Sequence, residues 1–178
     1  MDNTSLFFLI FGLQSNQTIL TSLMVFGAEY LIYLTLIGIF IITFKGKVRE
    51  RKALLLTLLA LPIVVIIIKM IHLFFYEPRP FVSLHIAPLI SHKADASFPS
   101  RHTAIMSAIA FAYLYCKSKW APLFILLTFW VGLSRIYVGI HYPLDILGAV
   151  IVGIVAVIIA LQLVRLLKLH FLGQSLQS

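Results

Sequence analysis

Three short clusters of polar residues interrupt an otherwise apolar chain, and their side chains suit phosphate chemistry. In the first cluster, residues 77–81, prolines on both sides of Arg79 stop a helix and leave the arginine at its end. The planar guanidinium offers paired donors to phosphate oxygens. An arginine that extends from a membrane helix to the interface explains the same pattern. This cluster therefore indicates a phosphate contact only in combination with others.

The second cluster, residues 97–103, is predicted to open a helix with Ser100 as its N-cap. The free backbone N–H groups of the first turn and the positive end of the helix dipole form an anion site. His102 lies in that turn, where its imidazole can donate a proton to a leaving group. An ordinary capped helix with a surface histidine is the alternative explanation.

The third cluster, residues 134–145, combines Arg135 with His141 and Asp145. Pro143 fits the first position of a helix, which puts His141 just before that helix and Asp145 in its first turn. A carboxylate that binds one imidazole nitrogen fixes the tautomer and leaves the other nitrogen free to attack. Histidine and aspartate at this spacing also occur together by chance. Considered jointly, the three clusters supply the cationic groups, nucleophile and acid that phosphoryl transfer requires.

The composition indicates which elements must position these clusters. Of the 178 residues, 61% are hydrophobic and 11% are charged, which excludes a soluble domain and a disordered chain. We predict an all-α polytopic membrane bundle of about five transmembrane helices, forming one integral-membrane domain over residues 1–178. Residues 5–13 are too short to cross a bilayer and are predicted to form an interfacial sixth helix. The predicted spans are 18–44, 53–76, 102–115, 120–137 and 143–167.

The basic residues orient this bundle, because lysine and arginine in short loops favour the cytoplasmic side. The three polar clusters lie at the opposite, extracytoplasmic end, where His85, His92 and Lys93 belong to a predicted interfacial lid. The net charge of +8 is therefore explained without a nucleic-acid partner. The nine cations on the inner side are Lys45, Lys47, Arg49, Arg51, Lys52, Lys117, Lys119, Arg165 and Lys168.

The order and spacing of the clusters resemble the signature of the type 2 phosphatidic acid phosphatase superfamily. Segments 26–30, 75–82 and 94–100 are also similar to the bacitracin-resistance type of undecaprenyl-pyrophosphate phosphatase. The resemblance implies a membrane phosphatase that hydrolyses undecaprenyl diphosphate on the outer face of the cell membrane, for cell-wall synthesis. The matching positions are Arg79-Pro80, Pro99-Ser100-x-His102 and Ser134-Arg135-x5-His141-x3-Asp145.

The resemblance also implies a mechanism without a metal ion or another cofactor. His141 would attack the terminal phosphorus and form a phosphohistidine, and Asp145 would orient it. His102 would protonate the departing lipid phosphate and later activate water. The transferred phosphoryl group would be held by Arg79, by Ser100 with the adjoining backbone N–H groups, and by Arg135.

Two positions depart from the family pattern. The family places a lysine seven residues before the arginine, but this sequence has His72 there and its nearest lysine is Lys69. Lys69 is therefore a candidate for substrate binding or for a coupling role inside the bundle. Arg101 stands where the superfamily usually has glycine. It is a candidate clamp for the second phosphate of a diphosphate, or a solvated side chain beside the helix start.

Other functions compete with this interpretation. A phosphatase of another lipid phosphate, such as phosphatidylglycerol phosphate, phosphatidic acid or lipid A, would use the same chemistry. A non-enzymatic anion transporter would need polar residues along its spans, and residues 120–132 and 148–160 offer hardly any. Glu29, inside the first span, is predicted to form a structural hydrogen bond with Lys69 or His72, with proton handling or substrate positioning as the alternative. The predicted partners are the lipid diphosphate and membrane lipids, and no oligomeric state is predicted.

Overall fold

All regular structure in the described part of the chain is helical. The computed structural model describes residues 2–14 and 18–166, and the predicted inner cation Lys168 lies outside these ranges. The all-α prediction is confirmed for the described residues. Their helices are α1 (Asn3–Phe11), α2 (Thr18–Glu29), α3 (Leu31–Lys45), α4 (Val48–Phe74), α5 (Pro80–Ser83), α6 (Arg101–Tyr115), α7 (Ala121–Tyr137) and α8 (Pro143–Leu166).

The five predicted spans all coincide with helices, although the lengths of these helices differ. Within the described ranges, α4 and α8 are long and apolar enough to cross a membrane, and the α2–α3 pair counts as a third span. The apolar helix α7 has 17 residues and α6 has 15. The predicted number of about five spans is therefore matched only loosely. The described residues thus form an all-helical architecture that includes helices suited to crossing a membrane.

The first predicted span is not continuous, because the chain bends by 60° between α2 and α3. Gly27 lies beside α7, and a β-carbon at this position would collide with the side chains of Trp130 and Ser134. Close to the bend, the carbonyl oxygen of Ala28 accepts a hydrogen bond from Arg135 at 3.0 Å. The interruption thus leaves a helix carbonyl directed at a buried cation, which the apolar pattern of residues 18–44 did not predict.

Small side chains let α6 pack at the centre of the bundle, against α4, α7 and α8. Ala104 and Ala108 in α6 are fully buried. Opposite them, an added β-carbon at Gly153 of α8 would lie 2.6 Å from the Ala104 carbonyl oxygen and 2.7 Å from the Ala108 nitrogen. Such close backbone approach is how membrane helices gain packing contacts. It packs the first two turns of α6 against the middle of α8.

The antiparallel order of these four helices brings the three polar clusters to one end of the bundle. α4 and α7 finish there, at Phe74 and Tyr137, while α6 and α8 begin there. The chain between α4 and α6 covers this end together with α1, whose Phe7 is fully buried against Tyr142. We call the end that carries the three polar clusters the outer end, after its predicted orientation. The opposite end carries residues 45–52 and 117–119 and is called the inner end.

Candidate active site

His141 and Asp145 form a buried pair at the start of α8. The Nδ1 atom of His141 lies 3.1 Å from Asp145 Oδ2, and the two residues are 1% and 0% exposed. The same carboxylate oxygen accepts a hydrogen bond from the Tyr142 backbone N–H at 2.8 Å. Pro143 occupies the first position of the helix, as the sequence predicted. Local helix geometry therefore brings the imidazole and the carboxylate together.

Arg79 contacts the other nitrogen of the same imidazole. Its Nη1 atom lies 3.1 Å from His141 Nε2 and donates to the Ile140 carbonyl oxygen at 2.9 Å. A guanidinium can only donate, so His141 Nε2 accepts and the imidazole proton is on Nδ1, facing Asp145. Burial, followed by the charges of Arg135 and Arg79, lowers the pKa of His141 well below its usual value. The lone pair on Nε2 of the neutral imidazole is thus the acceptor of the Arg79 contact.

The remaining donors of Arg79 are held by the segment before α6. The Nε atom donates to Asp95 Oδ1 at 2.8 Å, and Nη2 donates to the Ala96 carbonyl oxygen at 3.3 Å. Burial acts to raise the pKa of Asp95, but the hydrogen bond and charge of Arg79 outweigh it and the pKa is lowered. Asp95 is therefore an ionised partner of a guanidinium that is itself only 5% exposed.

Arg135, at the end of α7, is the second buried guanidinium and is 3% exposed. Nη1 donates to the Ala28 carbonyl oxygen, and Nη2 lies 3.3 Å from His92 Nε2. Its Nε atom is buried and has no hydrogen-bond partner among the described residues. The Glu29 carboxylate, at the end of α2, interacts with Arg135 through its charge. Arg135 thus retains an unused donor.

The start of α6 lies beside this pair of arginines. Ser100 is the N-cap, as predicted, but its side chain makes no capping hydrogen bond. Instead its hydroxyl accepts from Thr103 Oγ1 at 3.2 Å, and its backbone N–H donates to the Asp145 carbonyl oxygen at 3.2 Å. Ser100 consequently ties the first turn of α6 to the first turn of α8.

A small cavity of about 50 Å³ joins these groups. This volume is far below that of a site for a whole lipid and suits one small polar group. His72 lines the cavity and its buried Nε2 atom has no partner among the described residues. Lys69 lies on the exposed side of α4 and is not part of the lining. The lining consists of His72, Arg79, His92, Asp95, Ala96, Pro99, Arg101, His102, Arg135 and His141.

Most of the predicted site residues thus meet at one point. Arg79, Arg101, His102, Arg135 and His141 all line the cavity. Asp145 and Ser100 lie directly behind it, in contact with each other through the backbone and, for Asp145, with His141. Arg101 remains exposed at the rim. Of the predicted residues, Lys69 is the one that the structure leaves outside this group.

Sequence reasoning gave no role in the site to Ser97 or Asp95, and it assigned His92 only to the interfacial lid over the headgroup. The Ser97 hydroxyl donates to Asp145 Oδ2 and lies 3.4 Å from His141 Nδ1. Ser97 stands in the second cluster, so its position was a usable signal. His92 and Asp95 precede that cluster, and nothing in their spacing links them to Arg135 or Arg79. Within the described ranges, no group of three or more His, Cys, Asp or Glu side chains is arranged to hold a metal ion.

The chain is similar to known proteins both in sequence and in fold. Residues 51–168 match the PAP2 superfamily. The chain is 38% identical over 153 residues to undecaprenyl-diphosphatase BcrC of Bacillus subtilis (strain 168), covering 86% of this chain and 79% of the relative. It is 32% identical over 178 residues to putative undecaprenyl-diphosphatase YbjG of Escherichia coli (strain K12), covering 99% and 89%. The crystal structure of Aquifex aeolicus LpxE is similar, with a TM-score of 0.67, 29% identity and coverage of 90% and 94%.

Proposed function

The chain belongs to the PAP2 superfamily, and on this basis we propose that it is a membrane lipid phosphatase acting on undecaprenyl diphosphate. The products are undecaprenyl phosphate and inorganic phosphate. The observation that carries the proposal is the placement of His141 between Asp145 on Nδ1 and Arg79 on Nε2. That placement leaves an unprotonated nitrogen next to a phosphate-binding guanidinium.

The first step is attack by His141 Nε2 on the terminal phosphorus. An N–P bond forms, and the bond from phosphorus to the bridging oxygen breaks. Its electron pair leaves with undecaprenyl phosphate, to which His102 donates a proton. The imidazole becomes positively charged, and Asp145 stabilises it through the hydrogen bond to Nδ1. Asp145 thus orients the nucleophile and balances its charge.

The second step regenerates the enzyme. His102, now unprotonated, accepts a proton from a water molecule that attacks the phosphohistidine. The N–P bond breaks, inorganic phosphate leaves and His141 recovers its lone pair. Arg79, Arg135 and the backbone N–H groups after Ser100 hold the phosphoryl oxygens in both steps, because preorganised donors stabilise charge that develops in the transition state. Arg101, exposed at the rim of the cavity, is suited to contact the second phosphate.

The small size of the cavity supports different locations for the two parts of the substrate, its phosphoryl group and its polyprenyl chain. About 50 Å³ accommodates a phosphoryl group, and the polyprenyl chain stays in the surrounding lipid against the apolar helices. The choice of undecaprenyl diphosphate over another lipid phosphate rests on the names of the relatives. Phosphatidylglycerol phosphate, phosphatidic acid and lipid A are the alternative substrates of the same site.

Replacement of the nucleophile tests the function. Purified His141→Ala in detergent should release no inorganic phosphate from undecaprenyl diphosphate, while the matched control His85→Ala, an exposed histidine outside the cavity, keeps wild-type turnover. Labelled substrate should trap a phosphohistidine in the wild type and not in His141→Ala. Unchanged turnover in His141→Ala would refute the mechanism. A wild-type preference for a lipid monophosphate, measured side by side, would refute the substrate.

The site is proposed to face the outside of the cell membrane. It lies at the outer end, whereas the basic residues that mark the cytoplasmic side lie at the inner end. A thiol introduced by Ser91→Cys, in the exposed segment before α6, should react with an impermeant reagent added to intact cells. Lys119→Cys, exposed at the inner end, should react only after the cells are opened. The reverse labelling pattern would invert the topology.

A further inference from the structure

Arg135 is held by two contacts that come from different parts of the chain. One is the Ala28 carbonyl oxygen at the bend between α2 and α3, and the other is His92 Nε2 in the segment before α6. Both accept from the terminal nitrogens of the guanidinium. Because a guanidinium is rigid and planar, two fixed acceptors determine the direction of the third nitrogen, Nε. That atom is buried and without a partner among the described residues.

The protonation state of His92 follows from its neighbours. A guanidinium only donates, so Nε2 of His92 accepts and the imidazole proton is on Nδ1. Nδ1 donates to the Lys93 carbonyl oxygen at 3.1 Å and lies 3.8 Å from Asp95 Oδ1. Burial lowers the pKa of His92, and the charges of Arg79 and Arg135 act in the same direction. A neutral imidazole is therefore the form that can accept from Arg135.

We propose that His92 is a positioning residue that acts through Arg135 and directs the free Nε–H of this guanidinium toward the phosphoryl group. The proposal rests on the proposed function, since it assigns Arg135 to the transferred phosphoryl group. Without the His92 acceptor, Nη2 would be a buried donor with no partner and the guanidinium could turn about its contact with Ala28. The Nε–H donor of Arg135 would then adopt several orientations relative to the phosphate oxygens instead of one.

The histidines of the segment between α5 and α6 differ in a way that separates this role from general packing. His92 lines the cavity, whereas His85 is exposed and lies outside it. Glutamine can replace the function of His92, because its amide oxygen accepts a hydrogen bond, while alanine cannot. His92→Ala, His92→Gln and the control His85→Ala therefore form a matched series.

We expect His92→Ala to lower kcat/KM about tenfold, the size of one lost orienting hydrogen bond to a charged group. His92→Gln should stay within about threefold of wild type, and His85→Ala should equal it. In an Arg135→Lys background, where the second terminal nitrogen is gone, His92→Ala should cause no further loss, because residues that act through one contact are not additive. A His92→Gln enzyme as slow as His92→Ala, or a full additional loss in the Arg135→Lys background, would overturn the proposal.

Inorganic phosphate as a ligand separates this inference from the proposed function. Its dissociation constant, measured by thermal shift on the full chain in detergent, should rise about tenfold in His92→Ala and recover in His92→Gln. A wild-type protein that binds phosphate but does not cleave undecaprenyl diphosphate would refute the proposed substrate and leave the His92 series decisive. An active wild-type enzyme whose phosphate affinity is unchanged in His92→Ala would refute the role of His92 alone.

Discussion

The two ends of the bundle both carry arginines and lysines, but in opposite environments. At the outer end Arg79 and Arg135 are 5% and 3% exposed, and carbonyl oxygens and side chains hold their nitrogens. At the inner end Arg49 and Arg51 are exposed. Arg49 donates a hydrogen bond of 3.5 Å to the Lys117 carbonyl oxygen, at the weak limit for such bonds. Residue type alone does not distinguish these groups.

Burial changes what an arginine side chain requires from the surrounding protein. A buried guanidinium loses its hydration, so it must be compensated by acceptors in the protein. Arg79 and Arg135 have such acceptors and still line a common cavity, as the proposed contacts with a phosphoryl group require. The exposed inner cations keep their hydration, and their charge predicts that this end lies on the cytoplasmic side. Under the proposed function, the same charge serves phosphate binding at one end and membrane topology at the other.

Substitution of one arginine at each end tests this contrast between buried and exposed cations most directly. Arg79→Ala or Arg135→Ala should lower kcat/KM for undecaprenyl diphosphate by roughly 10²–10³-fold, because a preorganised donor to the transition state is lost. Arg49→Ala and Arg51→Ala should remain within about twofold of wild type, as exposed substitutions do. Phosphate-release kinetics on the purified variants measure both effects. Equal losses at the two ends would mean that burial does not separate their roles.

Two buried serines extend the comparison to hydrogen bonds. Ser97 donates to Asp145 Oδ2 at the outer end, and Ser118 donates to Glu50 Oε1 at 3.3 Å at the inner end. Ser97→Ala should lower kcat roughly tenfold, because Asp145 loses a donor that helps to hold it against His141. Ser118→Ala should change thermal stability but not kcat. The comparison fails if Ser118→Ala is the slower enzyme.

The two basic residues of α4 next to the site test the same idea within one helix. His72 lines the cavity with a buried nitrogen that has no partner in the described part of the chain, whereas Lys69 is exposed. We expect His72→Ala to raise the dissociation constant of inorganic phosphate by about fivefold and Lys69→Ala to leave it nearly unchanged. Competition by phosphate in the hydrolysis assay gives both constants. A larger effect of Lys69→Ala would restore the sequence-based assignment of this lysine to substrate binding.

The smallest expected effect is a shift in pH dependence. The charge of Arg135 contributes to the lowered pKa of His141, so the nucleophile stays neutral as the pH falls below the usual histidine value. Arg135→Gln removes that charge, raises the pKa of His141 and should move the acidic limb of kcat/KM to higher pH by about one unit. Arg135→Lys retains the charge and Arg51→Gln removes a distant one. Neither should move the limb, and a shift in Arg51→Gln would contradict the local origin of the effect.

Several parts of the fold and the site could be predicted from local pattern. Each predicted apolar stretch contains one or two helices among the described residues, and the family and the lipid phosphatase function inferred from the three clusters agree with the comparisons. Pro143 and Ser100 occupy the helix positions that their residue types favour. The pairing of His141 with Asp145 is local as well, because a spacing of four residues across a helix start brings two side chains together.

Other features depended on packing between distant segments. Arg135 and Ala28 are 107 positions apart, and Arg79 and Asp95 are 16 apart. No periodicity relates such residues. Spacing likewise did not indicate that His72, and not Lys69, would line the cavity. The position of the cavity relative to α4 depends on how α6 and α7 pack beside that helix. The bend after Glu29 was hidden in the same way by an apolar pattern that continues through it.

The helical membrane architecture and the residue types for the proposed phosphoryl transfer could be inferred from the sequence alone, which also predicts the orientation of the bundle. These follow from composition, local spacing and the cost of burying charge, all of which are readable along the chain. Tertiary packing was needed to identify the acceptors that hold each arginine and the α4 side chain that lines the cavity. It was also needed to place His92, Asp95 and Ser97 around that cavity. Hydrogen bonds to buried cations require atoms placed to within a fraction of an ångström, and helix packing between distant segments supplies that placement.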